Sequence, residues 1–246
     1  MRFLIDPEVF EVLPTMCIGV VVAHGIDNTQ LQSDNAQKIS ALLSKAMRRT
    51  RAKFAGTNVK EHPDIVPYRE AFRALGYNPN KFPCSVEALT SRVVKGSDLP
   101  DINSVVNLVN AVSLELALPM GAHDLDSISG DLAVRFSRQG ELFTPLGEAE
   151  PEEVPAGELV YADGREIRTR RWIWRQNDRG KVTEESRNIF LPIDGFTDRN
   201  RDAVERAMAE LAGRLEEFFG VAAHQYFLDR DRNSCDLMAS VEQKKA

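Results

Sequence analysis

Histidine is scarce in this 246-residue chain, with four in all, and no pair of them stands at a metal-ligating spacing. Cysteine is scarcer still. Cys17, Cys84 and Cys235 are odd in number, widely separated and without a Cys-x-x-Cys pair, which argues against a disulfide framework and a structural zinc site and points to reduced thiols. No apolar run approaches membrane-spanning length, and Met1 to Asp6 meets charge too early for a signal peptide. The expectation is a cytoplasmic protein with no membrane partner, no metal and no cofactor. There is no excess of basic residues either: at a formal charge of -6, a nucleic-acid partner must be met by a local basic patch. Internal repeats and Pro/Gly/Ser linkers are also missing. What is present is 43% hydrophobic residues, ample for a core. The reading is one α+β domain over residues 1–232, a mixed or antiparallel sheet packed by helices, followed by a flexible polar tail over 233–246.

The most informative stretch is Leu99 to Leu125. Ile102, Val105, Val106, Val109, Val112 and Leu116 recur at helical spacing and predict a buried face, while Asn103, Asn107 and Asn110 line a second stripe. Asparagine is a poor interior helix former because its amide competes for backbone hydrogen bonds. Either these amides hold backbone from a neighbouring element or they face a polar cavity; three in register favour a cavity wall. The helix is expected to stop at Pro119, and Met120-Gly121-Ala122-His123-Asp124 to follow as a tight loop suited to the floor of a site.

Elsewhere, Met16 to Ala23 reads as a buried β-branched strand. A helix capped by Ser33 or Asp34 follows, with Lys45, Arg48, Arg49, Arg51 and Lys53 at its far end: a solvated face, or a phosphate contact. Further helices are expected from His62 to Leu75, from a Ser85 cap, and from a Thr197 or Asp198 cap to Gly220. Beyond Asp124 the period becomes alternating, through Leu132, Val134 and Phe136 and a hairpin at Asp163-Gly164. Arg168, Arg170, Arg171 and Arg175 interleave with Trp172 and Trp174 on a strand that places the tryptophans on the face of Arg168 and Arg170. This pattern suits a single-stranded nucleic-acid surface, and equally a packed strand with snorkelling arginines. Asn188 to Ile193 reads as an edge strand, or one ending at Pro192.

Taken with its flanks, the central stretch resembles the B3/B4 editing domain of the β subunit of bacterial phenylalanyl-tRNA synthetase. The resemblance is carried in order by Asn110, Leu114-Glu115-Leu116, Pro119, Ala122-His123-Asp124-Leu125-Asp126, Gly130 to Arg135, Gly140 to Gly147, and Val182 to Leu191. It implies a domain that receives the aminoacylated end of a transfer RNA and hydrolyses the ester of a wrongly attached amino acid, as a free-standing relative without ATP. The departures lie in the pocket. The family's histidine, in a Pro-Leu-His-Ala-Phe-Asp loop, falls on Gly121, with His123 two places later; its tyrosine-reading glutamate falls on Pro192; and its Met-Gly-Gly-Glu stretch becomes Arg175-Gln176-Asn177-Asp178.

The leading expectation is therefore an aminoacyl-tRNA deacylase that does not read tyrosine, since Pro192 offers a phenol no acceptor. Asn110, the backbone around Gly121, and His123 or Asp124 are the catalytic candidates, and Asn107, Pro119, Trp172, Trp174 and Pro192 the pocket. Arg168, Arg170, Arg171 and Arg175, aided by Arg48, Arg49 and Arg51, are the RNA contacts. The alternatives are a non-catalytic RNA-binding module of the same fold, and a protein binding a small molecule or peptide in the old pocket.

Overall fold

The computed structural model describes residues 1–29 and 33–238. In chain order, β1 (Arg2–Ile5) and the single-turn α1 (Val9–Val12) lead to β2 (Met16–Ala23), α2 (Asp34–Lys53), α3 (Val66–Ala74), α4 (Ser85–Val94) and α5 (Ser104–Leu116). Then come β3 (His123–Asp124), β4 (Leu132–Phe136), β5 (Leu142–Phe143), β6 (Glu152–Glu153), β7 (Leu159–Ala162), β8 (Ile167–Arg170), β9 (Arg175–Gln176) and β10 (Ile189–Phe196). The chain continues through α6 (Arg201–Phe219), β11 (Ala223–Leu228) and β12 (Ser234–Asp236). These strands make a six-stranded sheet, β12-β1-β4-β7-β8-β9, a four-stranded sheet, β11-β2-β10-β3, and the ribbon β5-β6. Among the described residues one pair is parallel, joining β1 and β4, so the α+β reading with a mixed sheet holds.

The four-stranded sheet is a middle layer, and the parity of its two inner strands shows why. Ile18, Val20 and Val22 of β2, with Phe190 and Phe196 of β10, share a core with Phe3, Leu132, Val134 and Tyr161 of the six-stranded sheet. Cys17, Val21, Ile189, Leu191 and Ile193 point the other way, onto α5 and α6. Strands covered on both faces need apolar residues at nearly every position, as in Met16–Ala23. Helix α6 lies so close that a Cβ on Gly195 would stand 2.5 Å from Val204 Cγ2, and one on Gly19 2.7 Å from Met208. Only glycine fits there.

In α5 the asparagines divide. Asn103 is the N-cap, accepting from Val106 N at 3.0 Å and donating to Val182 O at 3.0 Å. Asn107 holds Ile102 N and Asp101, so both amides serve backbone or loop and neither lines a cavity. Ile102 is 49% exposed and leaves the expected core face. The helix ends at Ala117 in the left-handed conformation, two residues ahead of Pro119.

Several expectations are corrected. The strand at Ile189 does not stop at Pro192 or lie at an edge: it runs to Phe196 with β2 on one side and β3 with Met120 on the other. Pro192 is tolerated because it stands opposite Gly121, whose N–H donates to Pro192 O at 3.0 Å while no N–H is returned. Cys84, not Ser85, caps α4, and Asn200 rather than Thr197 or Asp198 precedes α6. The helix expected from His62 is a 3-10 turn at Val59–Glu61 followed by α3. Part of the expected tail is structure, since Ser234–Asp236 pairs with β1 and buries Cys235 and Leu237; residues 239–246 lie outside those described. Among the described residues, no helix is long and apolar enough to cross a membrane.

Candidate active site

Five backbone features converge between the sheets. Beta10 contributes Pro192 and Asp194, which share parity with Phe190 and so face the six-stranded sheet. The segment from Met120 to β3 runs antiparallel to it and brings Gly121 and His123. Beta7 supplies Tyr161 and β8 supplies Thr169. Residues 171–174 then turn β8 back into β9, with Thr169 opposite Gln176, so Trp172 and Trp174 belong to a turn and not to a strand face shared with the arginines. Arg171 and Trp172 take φ values of 44° and 61° there. A tryptophan in the left-handed region costs on the order of 1–3 kcal/mol. The strain is held by Trp172 N donating to Leu159 O at 2.6 Å and by complete burial of the indole.

These residues line a pocket open to solvent at one side, together with Ser85, Ile173, Trp174, Arg175 and Gln176. At its floor Tyr161 Oη and Trp172 Nε1 both donate to Asp194 Oδ1, at 2.7 and 2.6 Å. Asp194 is 2% exposed, and among the described residues neither a cation nor any donor to Oδ2 reaches it. Burial outweighs the two donors and pushes its carboxyl up to about 7. His123 is also 2% exposed, its ring stacked on Tyr161 with centroids 6.1 Å apart. Burial, aided by the charge of Arg168, brings its imidazole down to about 3, so it is neutral at physiological pH.

The tautomer of that imidazole follows from its surroundings. Nδ1 is buried with no hydrogen-bond partner, whereas Nε2 stands 3.2 Å from where a side chain on Gly121 would begin. An orphaned N–H is costlier than an orphaned lone pair, which places the proton on Nε2, toward the pocket. Gly121 therefore clears no space of its own, because the ring of His123 fills it.

The other sequence candidates separate. Asn110 lies on a second pocket, with Val106, Val109, Leu146, Gln176 and Lys181, which shares only the Met120–Gly121 wall and Gln176 with the first. Asp124 caps a 3-10 turn at Leu125–Ser127 and accepts from Ser186 Oγ at 2.6 Å, which is a structural role. Pro119 offers its carbonyl to Asp194 N at 3.0 Å and lines neither pocket. Arg168 and Arg170 are not an RNA surface. Arg168 is 1% exposed and bound to Asp163 at 2.6 Å, and Arg170 is 7% exposed and bound to Glu158 at 2.8 Å. Arg171 is stacked on Phe82 and Trp174, 3.9 and 4.6 Å from their ring centres. Arg175 keeps an exposed head paired with Glu148 at 3.1 Å. On α2, Arg48 is exposed, Arg49 meets Glu115 and Arg51 meets Asp98.

Asp194 and Tyr161 were not legible as site residues. The one signal was an acid within an otherwise apolar strand. The expectation about tyrosine also changes, since Asp194 puts a side-chain acceptor into the pocket two residues beyond Pro192, on the same face. Among the described residues no group of three or more His, Cys, Asp or Glu is placed to hold a metal ion. The three cysteines are buried, and burial pushes each thiol up to about 12, so none is a poised nucleophile.

A family model described as the B3/4 domain matches residues 67–220 of this chain. The β subunit of phenylalanine–tRNA ligase from Fusobacterium nucleatum is 31% identical over 143 residues, which is 58% of this chain and 14% of that protein. Its counterpart from Idiomarina loihiensis is 38% identical over 98 residues, 40% of this chain and 12% of that protein. The chain thus matches only about one-eighth of the length of these curated relatives. An N-terminal fragment of the phenylalanyl-tRNA synthetase β subunit from Pyrococcus horikoshii superposes with a TM-score of 0.50 at 10% identity, covering 92% of this chain and 53% of that one. At that identity the likeness is one of fold.

Proposed function

The chain belongs to the B3/4 domain family, and from that premise we propose that it is an aminoacyl-tRNA deacylase, hydrolysing the ester between an amino acid and the 3′ end of a transfer RNA. The observation that carries this reading is the neutral imidazole of His123, with its Nε2 beside Gly121 and Pro192 on the wall of a partly closed, largely apolar pocket. Water attack on an ester carbonyl builds negative charge on oxygen, and a donor fixed in a dry site stabilises that charge without reorganising. A neutral N–H serves here because it adds no buried charge to the resting protein. The acyl group enters beside Met120 and Trp174, and the ribose faces the rim at Arg175 and Gln176.

RNA contact runs along residues 175–181, which border both pockets. Arg175 and Lys181 have side chains 39% and 47% exposed, and their carboxylate partners Glu148 and Asp178 are surface groups that a phosphate can displace; Arg179, 56% exposed, has the buried Glu166 3.9 Å away.

The test is to incubate the protein with a panel of correctly and wrongly charged tRNAs and to follow the amino acid that stays esterified. Loss above the buffer rate from at least one charged tRNA supports the reading. Retention of tRNA with every ester intact makes the protein an RNA-binding module, and neither retention nor loss leaves a small-molecule or peptide binder; both results refute a deacylase.

A further inference from the structure

We infer that Asp194 is the general base of this pocket, its Oδ2 taking a proton from the water that attacks the ester. The inference rests on the deacylase reading above and adds the residue that the family resemblance did not indicate. Three features of the geometry support it. Both donors to the carboxyl, Tyr161 Oη and Trp172 Nε1, end on Oδ1, so the side chain is fixed while Oδ2 has no partner among the described residues. The residue lines the same pocket as His123, and the two rings of that wall connect them, since His123 stacks on Tyr161 and Tyr161 holds Asp194. Finally, the strained φ of 61° at Trp172 accompanies the placement of its indole N–H on this carboxylate.

The step balances. Oδ2 accepts one proton from water as the water oxygen bonds to the ester carbon, and the carbonyl oxygen becomes an oxyanion that accepts from His123 Nε2. The intermediate collapses with cleavage of the carbon–oxygen bond to the ribose, and the proton held on Asp194 passes to the departing ribose oxygen. Free amino acid and uncharged tRNA leave, and the carboxylate is restored. A base that is half ionised near neutral pH combines adequate population with adequate driving force.

The groups facing Asp194 leave that ionisation to burial. Tyr161 from β7, Trp172 from the turn after β8, His123 from β3 and Tyr68 from α3 are all uncharged at neutral pH, as is the Cys17 thiol on the opposite face of the sheet. Among the described residues lining the pocket, the other charged group is Arg175 at the rim.

The experiment measures kcat and KM from about pH 5 to pH 9 for the wild type, Asp194→Asn and Tyr161→Phe, on the charged tRNA that the wild type hydrolyses fastest. The amide oxygen of Asn accepts both donors, so this variant keeps the local bonds. The expected result is a fall in kcat of about 100-fold or more with KM unchanged and the acid limb of the pH profile abolished. Tyr161→Phe removes a donor that lowers the carboxyl's pKa, so its acid limb moves to higher pH. A raised KM or a changed amino-acid preference at unchanged kcat would make Asp194 a recognition group and overturn the inference while the deacylase reading stands. An unchanged Asp194→Asn profile does the same. A wild type that hydrolyses no charged tRNA overturns both.

Discussion

Arg168 and Arg170 on β8 and Asp194 on β10 are all buried, yet only the arginines have partners of opposite charge. Arg168 sits on Asp163, with Glu166 3.5 Å away, and Arg170 sits between Glu158 and Glu152. Asp194 has two neutral donors and, among the described residues, no cation. Burying a charge costs several kcal/mol unless a counter-charge or hydrogen bonds replace the lost water. The arginine side meets most of that cost with carboxylates, Arg168 Nη1 alone lacking a hydrogen bond among the described residues, and becomes scaffold, pinning the hairpin and the turn that carries Trp172. The aspartate side leaves it partly unmet, and the group takes up a proton near neutral pH instead. Nearby buried charges therefore have different meanings, and the partner list separates them.

The sharpest way to break this contrast is to remove a partner from the scaffold. Asp163→Ala strands the Arg168 guanidinium and should lower the unfolding free energy by about 3–5 kcal/mol, read by urea denaturation. A smaller loss would mean that water or Glu166 compensates the arginine.

The next effect has the opposite sign. Folded Asp194 holds its proton up to about pH 7, whereas the unfolded chain releases it near 3.8. Between those values the folded state binds more protons, so this group's contribution falls as pH rises, and the penalty is complete above pH 7. Asp194→Asn should therefore be more stable than wild type at high pH, by on the order of 4 kcal/mol. His123 works in reverse: its unfolded value of 6.5 lies above its folded value of about 3, so stability falls as pH drops through that window. The two slopes oppose one another between about pH 4 and 6.5, and removing Asp194 should expose the histidine slope of about 1.4 kcal/mol per pH unit. Denaturation at pH 5 and pH 8 measures both.

A smaller effect concerns RNA. If phosphates contact Arg175 and Lys181 rather than the buried arginines, reversing both charges should weaken tRNA binding and reduce the salt slope by about 1.4, the value for two single-strand contacts. Reversing Arg48 and Arg49 on α2 should leave the slope unchanged if the pocket rim is the contact surface. Titration at several salt concentrations distinguishes them.

The smallest is Gly121→Ala. The added Cβ would stand 3.2 Å from His123 Nε2 and 3.3 Å from Pro192 Cγ, close enough to displace the ring by a few tenths of an ångström. A fall in kcat of about tenfold is expected, as for a misplaced but intact donor. An unchanged kcat would remove His123 from the oxyanion role.

The scaffold was legible where local pattern and layer agree. Met16–Ala23 is apolar throughout because it is covered on both faces, and Asp163-Gly164 marks the hairpin it forms. Ser33 caps α2 as its side chain predicts. The site was less legible because it depends on pairing across distant strands. Gly121 and Pro192 are 71 positions apart, and only the ladder shows that each explains the other: the proline returns no N–H where the glycine stands. Arginine and tryptophan alternate in sequence from Arg168 to Arg175, but the chain leaves the strand at Arg171, so the period of two stops applying. Asp194 was hidden by stopping the strand at its proline.

Asp194 is a buried carboxyl with no counter-charge among the described residues, ionising near neutral pH. Its Cγ resonance in protein labelled with carbon-13 aspartate, assigned by its loss in Asp194→Asn, can be followed directly from acid to alkaline pH. The expected midpoint is near 7. A midpoint below about 5, within the ordinary range for aspartate, would contradict it.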